Sequence, residues 1–221
     1  MTRPLDPGLE ELRGRVRRMG RAAQAILAKT LRAVFERDAA LAREVKIDDL
    51  ELDRLELEID ETVLRLLALR APKADDLRDV VALKAITADL ERVGDLSRNV
   101  AQSALRLAEA DAGEIPPALE TLADHARALL ARALQSLEER DCEQAQRVVR
   151  DDDEADRREG EVIRGAIAQI SADPALTSRG VDYILIAKSL ERVADHATNI
   201  GEGVILAEAA RNVKHADKLA P

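Results

Sequence analysis

The chain has 221 residues, 46% of them apolar, with 34 Lys and Arg against 43 Asp and Glu for a formal charge of -9. That length fits one large or two modest domains, and the acidic balance opposes general affinity for nucleic acid or anionic lipid. A lone Cys142 permits no internal disulfide, no apolar run reaches the roughly 18 residues of a membrane span, and the N-terminus lacks a signal peptide's apolar core, so a cytoplasmic location is expected.

With one Phe, one Tyr and no Trp, the chain is dominated by Ala, Leu, Val, Arg and Glu, and strand-type alternation is missing; the expected fold class is all α. A first helix is predicted from about Pro7 to Arg37. Its Leu9, Leu12, Val16, Met19, Ala23, Ile26, Thr30 and Val34 alternate spacings of three and four, the seam of a helix packed at a shallow angle. Arg13, Arg15, Arg17, Arg18 and Arg21 read as its solvated basic face. Asp38 is placed to cap a second helix reaching about Leu69, with Leu52, Leu55, Ile59, Val63 and Leu66 facing the core. Pro72 ends it, because proline disfavours helix at the preceding residue. Asp75 and Asp76 supply a cap and favourable charge for a third helix, from about Asp76 to Asp111, with a seam of Leu83, Ile86, Leu90, Val93 and Val100. Gly113 reads as a stop and Pro116 with Pro117 as a restart, dividing the chain into 1–113 and 114–221.

The second half repeats the plan. Leu122, Ala126, Leu130, Leu134 and Leu137 reproduce Met19, Ala23, Leu27, Leu31 and Val34 at an offset of 103. The junction Glu36, Arg37, Asp38 returns as Glu139, Arg140, Asp141, and Asp141 with Gln144 has the spacing of a capping box. A fifth helix to about Ser171, a loop holding Pro174 and Gly180, and a sixth helix from about Val181 to Lys214 follow. The expectation is two tandem-repeated three-helix bundles built from six long antiparallel helices.

One pattern occurs twice, one hundred residues apart: Leu90-Glu91-Arg92-Val93-Gly94-Asp95, ending at Asn99, and Leu190-Glu191-Arg192-Val193-Ala194-Asp195, ending at Asn199. Glu, Asp and Asn at i, i+4 and i+8 form one polar stripe on a helix face. Like charges at i, i+4 repel by roughly 0.2–0.5 kcal/mol, so an Arg, a neighbouring helix or a cation is expected to compensate them. On the second helix, Asp49, Asp53, Glu56 and Asp60 form a narrow acidic stripe between apolar ones; Asp152, Asp156 and Glu159 hold the equivalent places, with Ile163 replacing the fourth acid. Glu91 and Asp95 point more than about 120° from the third helix's seam, outward or toward a groove beside the second helix. Should the two stripes meet, each half gathers several hard oxygen ligands, suited to Mg, Ca, Mn or Fe.

Other chemistry finds less support. A ferritin-like di-iron site needs Glu-x-x-His on core helices, yet the residues three before His125, His196 and His215 are Leu122, Val193 and Asn212. There is no Gly-rich phosphate loop, no zinc spacing and no Ser-His-Asp constellation, so no catalytic residue is assigned. His196 reads as polar surface more readily than as a ligand, and Arg92 and Arg192 as partners of nearby carboxylates. A metal-dependent phosphate-ester hydrolase and a plain helical scaffold without ions stand as the alternatives.

The duplicated Leu-Glu-Arg-Val-x-Asp-x-x-x-Asn, the Asp48-to-Asp60 acidic run and the Pro-Lys-Ala-Asp-Asp-Leu-Arg turn from Pro72 to Arg78 together resemble the PhoU family of phosphate-uptake regulators, over nearly the whole chain. The resemblance implies two three-helix bundles, frequent homodimers, no enzymatic activity and multinuclear metal sites of iron or other ions in some members. Carried over by position, the metal residues are Glu91, Asp95, Glu191 and Asp195, with Asp49, Asp53, Asp152 and Asp156 as companions and Asn99 and Asn199 as further candidates. It further implies a negative regulator of the phosphate-starvation response, linking the ATPase of a phosphate ABC importer to a phosphate-sensing histidine kinase and reaching the membrane only through those partners.

Overall fold

A computed structural model of the chain describes residues 7–110, 113–151 and 153–209. Helices α1 (Pro7–Phe35), α2 (Ala39–Arg70) and α3 (Asp75–Glu109) build the first half; α4 (Pro117–Glu139), α5 (Cys142–Arg150), α6 (Asp153–Ala172) and α7 (Thr177–Ala209) build the second, with a short 3-10 turn at Pro174–Leu176 before α7. Among the described residues there is no strand, and no helix is long and apolar enough to cross a membrane. The predicted ends at Asp111 and Lys214 lie outside the described residues.

Local sequence accounts for the helix starts. The Asp38 carboxylate accepts the amides of Ala40 and Leu41 at 2.8 and 3.0 Å, satisfying donors that a helix N-terminus leaves open. Asp141 does the same for Gln144 at 2.9 Å, but Gln144 turns its own amide to the Arg132 carbonyl, so the predicted capping box is only half made. Asp75 and Asp76 lie inside the first turn of α3, where they favour the dipole; the cap position itself is Ala74, without a side-chain bond.

The predicted fifth helix is broken into α5 and α6. Asp151 leaves helical geometry at ψ 12°, and its carboxylate takes a 2.6 Å hydrogen bond from Arg132. The run Asp151, Asp152, Asp153 explains the break, since aspartate favours caps over helix interiors and adjacent like charges repel. Restarting at Asp153 puts Asp153, Glu154 and Asp156 at the positive end of α6. Gly180, expected in a loop, lies in the first turn of α7, where Ile170 of α6 packs so closely that any Cβ would sit 2.7 Å from it.

Every predicted seam residue of α1, α2 and α3 is buried, and the two halves share one continuous apolar core. The most extensive packing runs between α3 and α7, antiparallel, with α1 against α4 beside them. Polar bonds close this seam at three levels. At one end Arg106 reaches Asp182 at 2.5 Å; at the other, buried Arg13 holds Asp79 at 2.6 Å and approaches Glu208, which also accepts from Arg140. At the centre Asp89 of α3 takes His196 Nδ1 at 2.8 Å and the Asn199 amide at 3.1 Å, both from α7.

Candidate metal centre

The α6–α7 contact in the second half brings the acidic stripes together. Asp156 from α6 and Glu191 and Asp195 from α7 each offer an oxygen, and these atoms all lie within 4.8 Å of one another. Two oxygens bound to one cation at about 2.0–2.6 Å stand at most about 4–5 Å apart, so the spacing fits a single hard cation. Among the described residues this is the one such group of three. Asp152, the other second-half candidate, lies outside the described residues.

The electrostatics fit a cation as well. Burial pushes Glu191 up to about 7, and the charges of Asp195, Glu159 and Asp156 push the same way. Near neutral pH Glu191 is therefore about half protonated, and a cation bound there would favour loss of that proton. Lys188, 3.5 Å from Glu159, is the nearby cationic contact on α7.

The first half offsets the same repulsion with ion pairs to a side chain of its own. Arg98 donates to Asp49 at 2.7 Å and to Asp95 at 2.6 Å, so one guanidinium spans the α2–α3 trough. Arg92 takes the second Asp95 oxygen at 2.9 Å and lies 3.4 Å from Glu91. Lys84 occupies the far end, 2.5 Å from Asp60 and 3.6 Å from Glu56. Asp49 is buried, and its carboxyl is pushed up by that burial despite the opposing pull of Arg98. Glu91 is raised likewise by burial and then by Asp95. Asp53 stays exposed and joins no three-carboxylate group with Glu91 and Asp95.

Two local differences separate the halves. Gly94 lets α2 come so near that a Cβ there would stand 2.5 Å from Leu52 and 2.9 Å from Asp49; the second copy has Ala194. The counterpart of Arg98 is Thr198, a buried residue whose hydroxyl has no hydrogen-bond partner. Asn99 is exposed, and Asn199 is spent on Asp89 with His196, so neither Asn sits in a carboxylate group. Sequence reasoning passed over Arg98, Lys84 and Asp89. The signal for Arg98 was present, as the basic residue three after Asp95 has no basic counterpart after Asp195.

Comparison with known proteins agrees with the duplicated all-helical fold. The PhoU domain family model matches twice, at residues 16–104 and 119–204. The chain is 35% identical over 195 residues to the phosphate-specific transport system accessory protein PhoU homolog of Caulobacter vibrioides, covering 88% of this chain and 85% of that one. It is 33% identical over 210 residues to the homolog of the same description from Pseudomonas putida, covering 94% and 81%. The crystal structure of PhoU from Pseudomonas aeruginosa superposes with a TM-score of 0.89 at 30% identity, over 92% of this chain and 98% of that one. That of the phosphate transport system regulatory protein PhoU from Streptococcus pneumoniae gives 0.85 at 26% identity, over 93% and 97%. The chain belongs to the PhoU family.

Proposed function

We propose that this protein is a non-enzymatic, cytoplasmic negative regulator of the phosphate-starvation response. It links the ATPase of a phosphate ABC importer to a phosphate-sensing histidine kinase, works as a homodimer, and meets the membrane only through those partners. The observation that carries the reading is the family match over both halves, to relatives named as accessory proteins of a phosphate transport system.

The metal component of the proposal is specific to the second half. Asp156, Glu191 and Asp195 hold a hard divalent or iron cation between α6 and α7, while Arg98 serves as the fixed counter-ion of Asp49 and Asp95 in the first. Of the five first-half candidates, Asp49 and Asp95 are held by Arg98, and Glu91, Asp53 and Asn99 act as a surface, not as a ligand set. The ion neutralises the trough and locks the α6–α7 contact that would be presented to a partner.

The deciding experiment is affinity capture of the tagged protein from its own cells grown at high and low phosphate. Recovery of an ABC ATPase and a histidine kinase, stronger at high phosphate, is expected; recovery of neither overturns the regulatory reading. Metal analysis of the purified protein, wild type against Asp156→Asn with Asp195→Asn, tests the ion. Equal metal content in both would remove it.

A further inference from the structure

The turn between α2 and α3 carries a motif that the core and the acidic troughs leave unused: no residue from Pro72 to Arg78 belongs to either. Its backbone is unusual. Ala71 has φ 44° and Ala74 φ 48°, positive values that a residue with a Cβ seldom adopts. Among the described residues the other non-glycine cases are Arg37 and Arg140, which hold matching places just past the ends of α1 and α4 and so belong to the repeat. Ala71 and Ala74 have no such counterpart, since the connection from α6 to α7 through Pro174–Leu176 has no positive φ. Backbone held this way concentrates at ligand clamps and switch regions.

Two clefts adjoin this end of α2 and share Leu66 and Arg70 between them. One, of about 260 Å³, reaches the buried Leu9 and Val80 and has Lys73 on its lining; the other, of about 280 Å³, includes Arg65 and the 75% exposed Leu69. Each is below the roughly 300 Å³ at which small-molecule sites begin, so the pair suits successive side chains of one peptide better than a single cofactor. Charge decides the kind of peptide. Arg65, Arg70 and Lys73 are exposed and form no ion pair among the described residues. The acids lining the clefts are already offset: Glu11 lies 3.0 Å from Arg15, and Asp76 sits in the first turn of α3, at the positive end of the helix dipole. In a chain of net charge -9 this is a local cationic excess around apolar clefts. A lipid headgroup layer fits it less well. Leu9, Leu66 and Val80 are at most 6% exposed, so they are reached by a side chain entering a cleft and not by a broad front.

We propose that the α2–α3 turn and its two clefts form a docking site for an acidic peptide segment of a partner protein, which sets two apolar side chains into the clefts and lays its carboxylates on Arg65, Arg70 and Lys73. Which partner supplies the segment rests on the regulatory reading given above; the site itself rests on the turn, the clefts and their charge. It shares no residue with the candidate metal centre between α6 and α7.

Affinity capture from the protein's own cells tests the site, with wild type beside two variants. One is the reversal Arg65→Glu with Arg70→Glu and Lys73→Glu; the other keeps the charge, as Arg65→Lys with Arg70→Lys and Lys73→Arg. Circular dichroism and the unfolding midpoint serve as folding controls. Wild type and the charge-keeping variant should recover the ABC ATPase or the histidine kinase. The reversal should recover at least roughly tenfold less of it, because like charges would then meet across the contact. A p-benzoylphenylalanine in place of Leu69 should cross-link to a segment of that partner rich in Asp and Glu. Equal recovery by the reversal overturns the site and leaves the regulatory reading standing, whereas recovery of neither protein by wild type overturns both. A cross-link to a basic segment, or to residues 1–6 of the chain itself, overturns the acidic peptide. Vesicles of phosphatidylcholine with phosphatidylserine should not sediment the protein; sedimentation that the reversal abolishes assigns the turn to a lipid surface and overturns the proposal.

Discussion

Replacing Glu191 by Gln is expected to stabilise the metal-free protein at alkaline pH, although it removes a charged group from the candidate centre. In the folded chain Glu191 titrates at about 7 instead of its ordinary 4.5, because it is partly buried among Asp195, Glu159 and Asp156. A group whose folded value is raised favours the folded state below its unfolded value and progressively loses that contribution as pH rises through the folded value. The loss therefore falls between about pH 4.5 and 7. The whole shift corresponds to about 3 kcal/mol, but the side chain keeps partial contact with solvent, and screening brings the effect to about 1–2 kcal/mol. Gln avoids the penalty, so in a chelator at pH 8 the midpoint of thermal unfolding should rise by about 2–8 °C for a chain of this size. At pH 5 the gain should shrink to about a quarter of that. Added Mn should then raise the wild-type midpoint at pH 8 and leave Glu191→Gln nearly unchanged, because a cation would relieve in the wild type what Gln relieves without it. A Gln variant less stable than wild type at pH 8, or one with equal gains at both pH values, refutes a strained acidic trough.

Three further outcomes follow from the same geometry. Asp156→Asn with Asp195→Asn should abolish any metal-dependent rise in unfolding midpoint, whereas Glu91→Gln with Asp95→Asn should leave it intact, read by calorimetry with and without Mn. Arg98→Thr, which copies the second half's residue, leaves the buried Asp49 without its partner; since Arg98 is itself 38% exposed, a loss of about 1–2 kcal/mol is expected in urea unfolding. Gly94→Ala should cost about 1–3 kcal/mol because its Cβ meets Leu52 and Asp49, while Gly14→Ala, with open space around it in α1, should gain about 0.5–1 kcal/mol in the same assay.

Helices and core were legible because burial imposes a periodicity that apolar residues obey: the seams of α1, α2 and α3 are buried throughout. What was not legible depends on relations between helices. The break at Asp151 turns on a contest between helix propensity and capping that α2 settles the other way, staying helical through Asp48 and Asp49. The two halves differ at Gly94 against Ala194 and at Arg98 against Thr198, while the duplicated Glu-x-x-x-Asp looks the same in both copies. Asp89 reads as one more surface acid until α7 lays His196 and Asn199 against it. Periodicity tells which face of a helix is inward; it does not tell which neighbour that face will find.

Arg98 also bears on how the two copies diverged in what they can report. A counter-ion carried on the polypeptide is present at the same level whatever the cell contains, so the trough it fills is blind to ion supply. The trough between α6 and α7 has no such residue at the counterpart place, Thr198, and there the proposed cation would be drawn from the medium. If the α6–α7 group takes a cation as proposed, Arg98 is the residue that makes the first half independent of an ion the second half would need.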